Sequence, residues 1–294
     1  MRLFAVAALT AAVLCSGGLH PRLAAAEDKK DEKKEKELKE RLDQIEAAGK
    51  KKDFAAVLPL TKKAAALDPK NPAIFYAAGI AHAGLRQHDE AVKAFTEVIK
   101  LEPKALVALD KRADAYLKSG KFAEAVADFD AYLKERPKDG PDHWRRGLAL
   151  YYAGKFKDGA AQFNAAEGNA REDVENSAWH YLCNARATTP KKAREELIPV
   201  TKDARVPMNK ILDLFAGKLK PKDVLDTAEN AKLAGEALKS ARFYANLYVA
   251  LYYESEGDAK KCLEHLTEAV EKYKIGDYMW DIADIHLKVL KAKK

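Results

Sequence analysis

Small, aromatic and proline residues recur along the chain at a spacing of 34 residues. The segments RQHDEAVKAFTEVIKLEP (86–103) and GKFAEAVADFDAYLKERP (120–137) place apolar residues at helical spacing, with charged residues between them. The shared positions are a small residue, an aromatic residue and a closing proline: Ala91, Phe95 and Pro103 in the first segment, and Ala125, Phe129 and Pro137 in the second. Because proline stops a helix, each segment is predicted to be an amphipathic helix that ends at its proline.

The period continues in both directions. A weaker copy precedes these segments and a fuller one follows them: Phe54, Val57, Ala64 and Pro69, and then Trp144, Gly147, Gly154, Gly159, Phe163 and Ala166. Small residues at Gly79, Ala113 and Gly147 let the two helices of a copy cross closely. Gly120 and Gly154 fall where a first helix ends and can take the left-handed cap conformation. The pattern is typical of the tetratricopeptide repeat, a helix–turn–helix whose copies stack because one hairpin cannot bury its apolar face alone.

The repeat pattern is interrupted after Phe163 and returns near residue 237. The intervening stretch predicts a helix over 171–187 with one apolar face, formed by Val174, Ala178, Tyr181, Leu182 and Ala185. It also predicts two short helices that open near Pro207 and Pro221. In the returning pattern Gly257 marks a turn, and the amphipathic tail after it would cap the last hairpin.

We therefore predict an all-α fold: a tetratricopeptide-repeat superhelix (α-solenoid) with an irregular helical insert and a C-terminal capping helix. Hairpins 1–4 are predicted over residues 42–168, the insert over 169–236, and hairpin 5 with the capping helix over 237–294. A signal peptide (1–26) and a charged linker (27–41) are predicted to precede them.

The N-terminal segment carries a targeting pattern. Arg2 is followed by an apolar run of 13 residues, which is too short to span a bilayer, and Ala24 to Ala26 fit a cleavage site. We predict a cleaved signal peptide, a periplasmic or secreted location, and no transmembrane span after cleavage. Two alternatives are a buried N-terminal helix and lipid attachment at Cys15. We favour cleavage over both, because a charged tail follows directly and Leu14 stands where a lipid-modified cysteine needs a small residue.

The segment EDKKDEKKEKELKER (27–41) alternates acidic and basic residues almost without apolar ones. Such a run cannot bury a core by itself. We predict a solvated linker that becomes helical near Leu38.

The composition restricts the classes of partner that we expect. The 294 residues are 48% hydrophobic and 33% charged, and 52 basic residues nearly balance 45 acidic ones, giving a net charge of +7. No block of arginines with interleaved aromatics is present, so we expect no nucleic acid partner. Cys183 and Cys262 remain after signal cleavage. They could form one disulfide, but both fall at positions that packing explains, which favours free, buried thiols.

The sequence offers little catalytic chemistry. It has no metalloprotease, nucleophile-elbow, phosphate-loop or dinucleotide motif. Two helical pairs, His180 with Cys183 and Cys262 with His265, each supply only two metal ligands, whereas a structural zinc site needs four. We expect no bound metal, no cofactor and no enzymatic activity.

The residues predicted to lie on the surface give more evidence about function than the sequence motifs do. In this repeat the first helices line the concave face, and they place an unusual set of aromatic and charged residues there: Tyr76, Ile80, Asp110, Asp114, Trp144, Arg145, Leu148, Tyr151 and Tyr152. Aromatic residues beside charges are typical of binding hot spots. We predict that a protein partner binds at Trp144, Leu148, Tyr151 and Tyr152. The alternative is that the later helices of the chain fill this groove.

Four further segments share residues and spacing with a known family: WRRGLALYYAGKFKDGAAQF, NSAWHYLCNAR, NKILDLFAGKLKPKDVLDTA and FYANLYVALYYESEGDAKKCLEHLTEAV. Over about residues 141–290 the chain resembles the NlpI family of bacterial outer-membrane lipoproteins. The resemblance implies an all-helical extracytoplasmic adaptor without catalysis. Members of that family tether or regulate envelope proteases and cell-wall hydrolases, and some self-associate. The chain departs from them in its poor lipid-attachment site and its charged N-terminal spacer.

From these observations we predict a non-catalytic extracytoplasmic scaffold or adaptor. Its partners are expected to be other proteins, with envelope proteases and peptidoglycan hydrolases as candidates. The alternative is a self-associating structural envelope protein, for example a homodimer whose grooves are filled by another copy.

Overall fold

The computed structural model describes residues 21–201 and 203–292, with side chains from Lys30 onward, and within them all regular structure is helical. In these described residues sixteen α-helices follow one another in packing like that of tetratricopeptide repeats, which confirms the predicted fold class. Cys15 and most of the predicted signal peptide lie outside the described residues, so cleavage and lipid attachment stay predictions.

The first eight helices pair as four successive hairpins. They are α1 (Pro21–Lys50) with α2 (Phe54–Leu67), α3 (Pro72–Gly84) with α4 (His88–Leu101), α5 (Leu106–Lys118) with α6 (Phe122–Glu135), and α7 (Trp144–Tyr152) with α8 (Phe156–Asn164). A short 3₁₀ turn (Pro137–Asp139) separates the third hairpin from the fourth.

The turns of these hairpins repeat one backbone conformation. Lys52, Arg86, Gly120 and Gly154 stand 34 residues apart, and all four have positive φ, at 56°, 58°, 81° and 75°. Glycine takes this left-handed conformation freely, whereas a residue with a side chain pays about 1–2 kcal/mol for it. The repeat therefore imposes its turn even in the two copies that lack glycine.

Small residues let the paired helices cross at close range. A Cβ atom added to Gly147 would lie 2.5 Å from Cζ of Phe163, and one added to Gly79 would lie 2.6 Å from Cε1 of Phe95. Both phenylalanines are fully buried. The ring of the opposite helix thus occupies the space that a side chain at each glycine would need.

The remaining helices form the insert, the fifth hairpin and the last helix. They are α9 (Gly168–Arg171), α10 (Val174–Ala187), α11 (Pro190–Glu195), α12 (Met208–Phe215), α13 (Pro221–Glu229), α14 (Gly235–Ser255), α15 (Ala259–Lys272) and α16 (Tyr278–Ala292). Gly217, with φ of 75°, follows α12, and Gly257, with φ of 83°, lies between α14 and α15.

Helix α10 differs from the expected amphipathic helix. It packs against α8, α12 and α14, and consecutive residues from Asn176 to Cys183 are buried, so the expected single apolar face is wrong. Neighbours on several sides bury its polar residues as well, and these find local partners. Asn176 Nδ2 donates to the carbonyl oxygen of Phe163 at 3.0 Å, and Ser177 Oγ donates to that of Ile198 at 2.6 Å.

The charged segment 27–41 lies within α1, which begins at Pro21 and not near Leu38 as expected. Lysine and glutamate are good helix formers, and pairs such as Glu37 with Arg41, one helical turn apart, add support. Most side chains of this segment from Lys30 onward are exposed. The segment is therefore exposed to solvent, as expected, but it is helical along its whole length.

The core is unevenly distributed. Hairpins 1 and 2 hold two small clusters, one around Val57 and Ile74 and one around Phe95. A much larger continuous cluster runs from Ala113 to Leu287 and includes α10 and α14. The N-terminal part of the array therefore relies on neighbour-to-neighbour packing, while the C-terminal part shares one core.

Both described cysteines are free and buried. Cys183 packs against Gly159, where an added Cβ would lie 2.8 Å from its Sγ atom. Burial raises the pKa of both thiols, that of Cys262 to about 12. In this structure they act as small packing residues and form no disulfide.

Candidate functional site

Helix α16 covers the part of the concave face that is formed by α5 and α7. Tyr278 donates its hydroxyl hydrogen bond to Asp114 at 2.5 Å, and Lys118 Nζ lies 3.6 Å from a carboxylate oxygen of Asp281. The Tyr152 hydroxyl lies 3.0 Å from Nδ1 of His286. The chain's own last helix thus fills this part of the groove, as the second of the two sequence interpretations proposed.

This covering corrects the predicted partner surface. Leu148 and Tyr151 are buried, and the Tyr151 hydroxyl donates to Glu254 at 2.8 Å. Tyr152 stacks on Phe122 at 5.0 Å between ring centroids. Helices α14 and α16 lie over Tyr151 and Tyr152, so Tyr151 is buried and Tyr152 is partly buried. Leu148 is buried in the wall of a cavity beside Trp144.

Two of the predicted charged residues belong to an internal cluster. Asp110 is buried, accepts from Arg145 Nη2 at 2.8 and 2.9 Å, and lies 3.1 Å from His143 Nε2. Burial opposes ionisation, but the hydrogen bonds from His143 and the charge of Arg145 hold the pKa of Asp110 below its usual value. Arg145 therefore neutralises Asp110, and Asp114 is engaged by Tyr278.

Tyr76 and Ile80 remain on an uncovered part of the concave face. They line an apolar groove of about 290 Å³ between the first two hairpins, together with Phe54 and Val57. The Tyr76 ring meets Phe95 edge-on at 5.8 Å. Burial and the charge of Asp110 raise the pKa of Tyr76.

Trp144 marks a second opening. Its side chain is 42% exposed and stands at a cavity of about 300 Å³ between α7, α10, α14 and the start of α16. Four further aromatic rings line this cavity: Phe163, Trp179, Tyr244 and Tyr278. The rings of Trp144 and Tyr278 meet edge-to-face, with their centroids 4.7 Å apart, and this contact positions the indole.

Charged groups line the same cavity. Arg205 donates from Nη1 to Glu175 at 2.6 Å and from Nη2 to Asp173 and Asp203, both at 2.6 Å. Asp173, Glu175 and Arg205 are all part of the lining. One guanidinium is therefore shared by three carboxylates.

Glu175 sits at the buried end of this network. Burial raises its pKa to about 7, although the neighbouring Arg205 opposes the rise and Asp173 adds to it. The Tyr248 hydroxyl donates to Glu175 at 2.9 Å. Burial together with the charge of Glu175 raises the pKa of Tyr244 and of Tyr248.

Asp277 supplies a fourth carboxylate. It precedes α16, accepts from the backbone N–H of Met279 at 2.9 Å, and is exposed on the cavity wall. No basic side chain of the described residues lies within ion-pair distance of it. Asp277 thus carries a charge that the surrounding described residues leave unmatched.

The wall of the cavity also contains an unpartnered donor. Trp179 is 2% exposed, and its indole N–H has no acceptor among the described residues. A buried donor without an acceptor costs about 1–3 kcal/mol. Such a group is uncommon in folded proteins.

The histidine of each candidate metal-ligand pair, His180 and His265, lies within hydrogen-bond distance of an asparagine side chain. Nδ2 of Asn184 lies 3.2 Å from His180 Nε2, and His265 Nδ1 lies 3.0 Å from Oδ1 of Asn246. Within residues 30–201 and 203–292 no group of three or more His, Cys, Asp or Glu side chains is arranged to hold a metal ion. In the same part of the chain no helix has the length and apolar character needed to cross a membrane.

Sequence reasoning identified Trp144 and Leu148 as binding residues but missed the other residues of the cavity. Trp179 and Tyr244 lie on helices whose pattern shows only burial, and Arg205 lies in a loop. Asp277 had a local signal, because an Asp before an amphipathic helix is a typical N-terminal cap. Nothing in that signal shows which distant helices surround it.

Comparisons with known proteins agree with this architecture. Residues 76–140 and 111–174 match the family model described as tetratricopeptide repeat. The Small glutamine-rich tetratricopeptide repeat-containing protein 2 of Mycosarcoma maydis is 32% identical over 96 residues, which are 31% of this chain. The match spans only 26% of that protein's length.

Two solved structures are similar in fold. A tetratricopeptide repeat protein from Parabacteroides merdae superposes with a TM-score of 0.55 at 16% identity, covering 87% of this chain and 99% of that one. MamA from Desulfovibrio magneticus superposes with a TM-score of 0.50 at 23% identity, covering 54% and 90%. At these identities the likeness shows the fold alone. The described part of the chain therefore has the fold of tetratricopeptide-repeat proteins, and the family model matches it over residues 76–174.

Proposed function

We propose that this protein is a non-catalytic scaffold that binds a segment of a partner protein at the Trp144 cavity. The observation that carries the proposal is the exposed indole at the mouth of a cavity lined by aromatic and acidic side chains. Tetratricopeptide arrays are stacks whose extended concave surfaces serve for binding. A partly exposed tryptophan beside a pocket is also the composition of a binding hot spot.

The setting of this scaffold is proposed from the sequence. The apolar run after Arg2 and the small residues at 24–26 support export from the cytoplasm. The resemblance to the NlpI family over about residues 141–290 supports an adaptor role toward envelope proteases or cell-wall hydrolases. The segment that begins at Trp144 is among those that carry the resemblance.

A crosslinking pull-down tests the proposal. The tagged full-length protein is crosslinked in the envelope fraction of its source cells and compared with the Trp144→Ala variant. Val107→Ala is the matched control, because Val107 is 56% exposed and does not line the cavity. We expect a specific protein to be recovered equally by the wild type and Val107→Ala, and at least about tenfold less by Trp144→Ala.

Equal recovery by Trp144→Ala, with its melting temperature unchanged, would show that the cavity is not the binding site. Recovery of the protein alone, with a mass that rises with concentration, would overturn the adaptor role and favour self-association. The uncovered apolar groove at Tyr76 and Ile80 is the surface that a second copy would then fill.

A further inference from the structure

We propose that the Trp144 cavity accepts a basic side chain, arginine or lysine, of the partner segment, and that the Asp277 carboxylate is its charge partner. This inference rests on the proposed function and names the chemistry of the same site. It follows from three properties of the cavity: its charge, its aromatic wall and its size.

The charge of the cavity is negative. Arg205 is the basic group of the lining, and it is already shared by Asp173, Glu175 and Asp203. Asp277 adds a further carboxylate without a basic partner among the described residues. A cation entering the cavity therefore meets an excess of carboxylates, whereas an anion would be repelled.

Two basic groups close to Trp144 and Tyr278, Lys118 and Arg145, do not remove this excess, because other acids already pair with them. Lys118 lies 3.1 Å from Asp114 and 3.6 Å from Asp281, and Arg145 pairs with Asp110. Lys118 Nζ also lies 3.9 Å from the centroid of the Tyr278 ring. The Tyr278 ring therefore already faces a cation. Among the other aromatic residues of the lining, Trp144 is the exposed one that a ligand would meet first.

The aromatic wall suits a cation with an apolar stem. Trp144 is 42% exposed and is the aromatic side chain that attracts cations most strongly. A lysine or arginine side chain can lay its methylene groups along such rings while its head reaches a carboxylate.

The size of the cavity agrees with a single side chain. At about 300 Å³ it lies at the lower end of the range for ligand pockets. It accommodates one anchor residue of an extended segment rather than a helix.

The three tryptophans make a direct binding test possible. The chain contains Trp144, Trp179 and Trp280, and each gives one indole N–H signal in a ¹⁵N–¹H NMR spectrum of the full-length protein. Trp280 donates its indole hydrogen bond to the carbonyl oxygen of Val270 at 3.1 Å and does not line the cavity, so its signal is an internal reference. The probe is N-acetyl-arginine amide, and its neutral isostere N-acetyl-citrulline amide is the control ligand.

We expect the arginine probe to shift the Trp144 and Trp179 signals with a dissociation constant on the order of millimolar, and to leave Trp280 unchanged. The citrulline probe should bind at least about fivefold more weakly. Asp277→Asn should weaken arginine binding about threefold, because Asn removes the charge but still caps the helix. Asp284→Asn, which removes a carboxylate on the same helix that pairs with Lys288, should leave binding unchanged.

Equal binding of the arginine and citrulline probes, or a Trp280 shift as large as the other two, would overturn the inference. Absence of any shift at saturating probe would overturn it as well. An unchanged affinity in Asp277→Asn would show that Asp277 is not the charge partner. If the pull-down still depends on Trp144 while no cation binds, the scaffold function stands and only the assignment of a basic side chain fails.

Discussion

Arg86 Nε donates to Asp281 Oδ1 at 2.5 Å and joins the turn of the second hairpin to the last helix of the chain. The guanidinium also lies 4.8 Å from the centroid of the Trp280 ring. Arg86 occupies a turn position that is glycine in two other copies, with φ of 58°. Arginine at this position strains the backbone, but its side chain makes contacts with α16 that glycine could not make.

The contribution of this contact can be measured by replacing Arg86 with the glycine that the turn prefers. We expect Arg86→Gly to lower the free energy of unfolding by about 1 kcal/mol, because the lost ion pair and ring contact exceed the relieved strain. Lys52→Gly is the matched control, since Lys52 has the same φ sign but is exposed. It should raise the free energy of unfolding by about 0.5–1 kcal/mol. Urea denaturation measures both, and equal stabilisation by the two variants would show that Arg86 does not hold α16.

A methyl group at Gly147 tests the close crossing of α7 and α8. The added Cβ of Gly147→Ala would lie 2.5 Å from the buried Phe163 ring, and we expect a loss of about 1–3 kcal/mol in the free energy of unfolding. Gly49→Ala serves as control, because nothing lies within 4 Å of its added Cβ. That variant should be stabilised by about 0.5–1 kcal/mol. If Gly147→Ala did not lower the free energy of unfolding relative to wild type, the close packing of α7 on α8 would be contradicted.

Glu175 gives the stability a pH dependence of defined sign. Its folded-state pKa of about 7 lies above its usual value of 4.5. Its contribution is therefore complete below pH 4.5 and is lost as pH rises through 7. The charged and titratable groups that face it are Arg205, Asp173, Tyr244 and Tyr248.

We expect the stability difference between wild type and Glu175→Gln to fall, from pH 5 to pH 8, by an amount on the order of 1–3 kcal/mol. Glu172→Gln is a control of opposite sign. Backbone and hydroxyl hydrogen bonds from Thr201 lower the pKa of Glu172, so its contribution is lost as pH falls through that lowered pKa. Chemical denaturation at a series of pH values measures both differences, and a flat profile for Glu175→Gln would contradict the assignment.

The uneven core predicts uneven hydrogen exchange. Amides of α2 and α3, which rest on the small cluster around Val57 and Ile74, should exchange faster than those of α10 and α14 in the large cluster. Hydrogen–deuterium exchange followed by mass spectrometry resolves these helices. Uniform protection along the chain would mean that the whole array opens as one unit.

Thiol labelling tests the state of the cysteines. We expect Cys183 and Cys262 to be unreactive toward a maleimide in the native protein and fully labelled after denaturation without reductant, because both are buried and free. A disulfide would instead leave both unlabelled in denaturant until a reductant is added. Rapid labelling of the native protein would contradict their burial.

The sequence predicted the repeats well because each hairpin is held by residues close in the chain. The spacing of Gly120 and Gly154 reports a local backbone conformation, and the small residue at Gly147 reports a contact within one hairpin. Helix α16 is different, because its contacts with Arg86 and Asp114 span 195 and 164 residues. No periodic pattern encodes which surface a terminal helix will cover.

The same reason explains the outcome at the candidate site. Helical spacing correctly placed Leu148 and Tyr151 on the inner side of the array, but it could not show that later helices bury that side. Trp144 remained partly exposed because it stands at the first turn of α7, at the edge of the covering helix. The acidic part of the cavity combines a loop, α10 and the cap of α16, which only the three-dimensional structure brings together.

The contact of α16 with the second hairpin also sets an order for biosynthesis. In an open repeat array each unit can fold once its neighbour has left the ribosome. Here the inner side of hairpins 2–4 is completed by residues 278–287, which are translated after all of the repeats. Until these residues have been translated, the nascent chain lacks the contacts of α16 with this inner side, including the contact of His286 with Tyr152. Chaperones that recognise apolar surface have their target there until the last helix emerges.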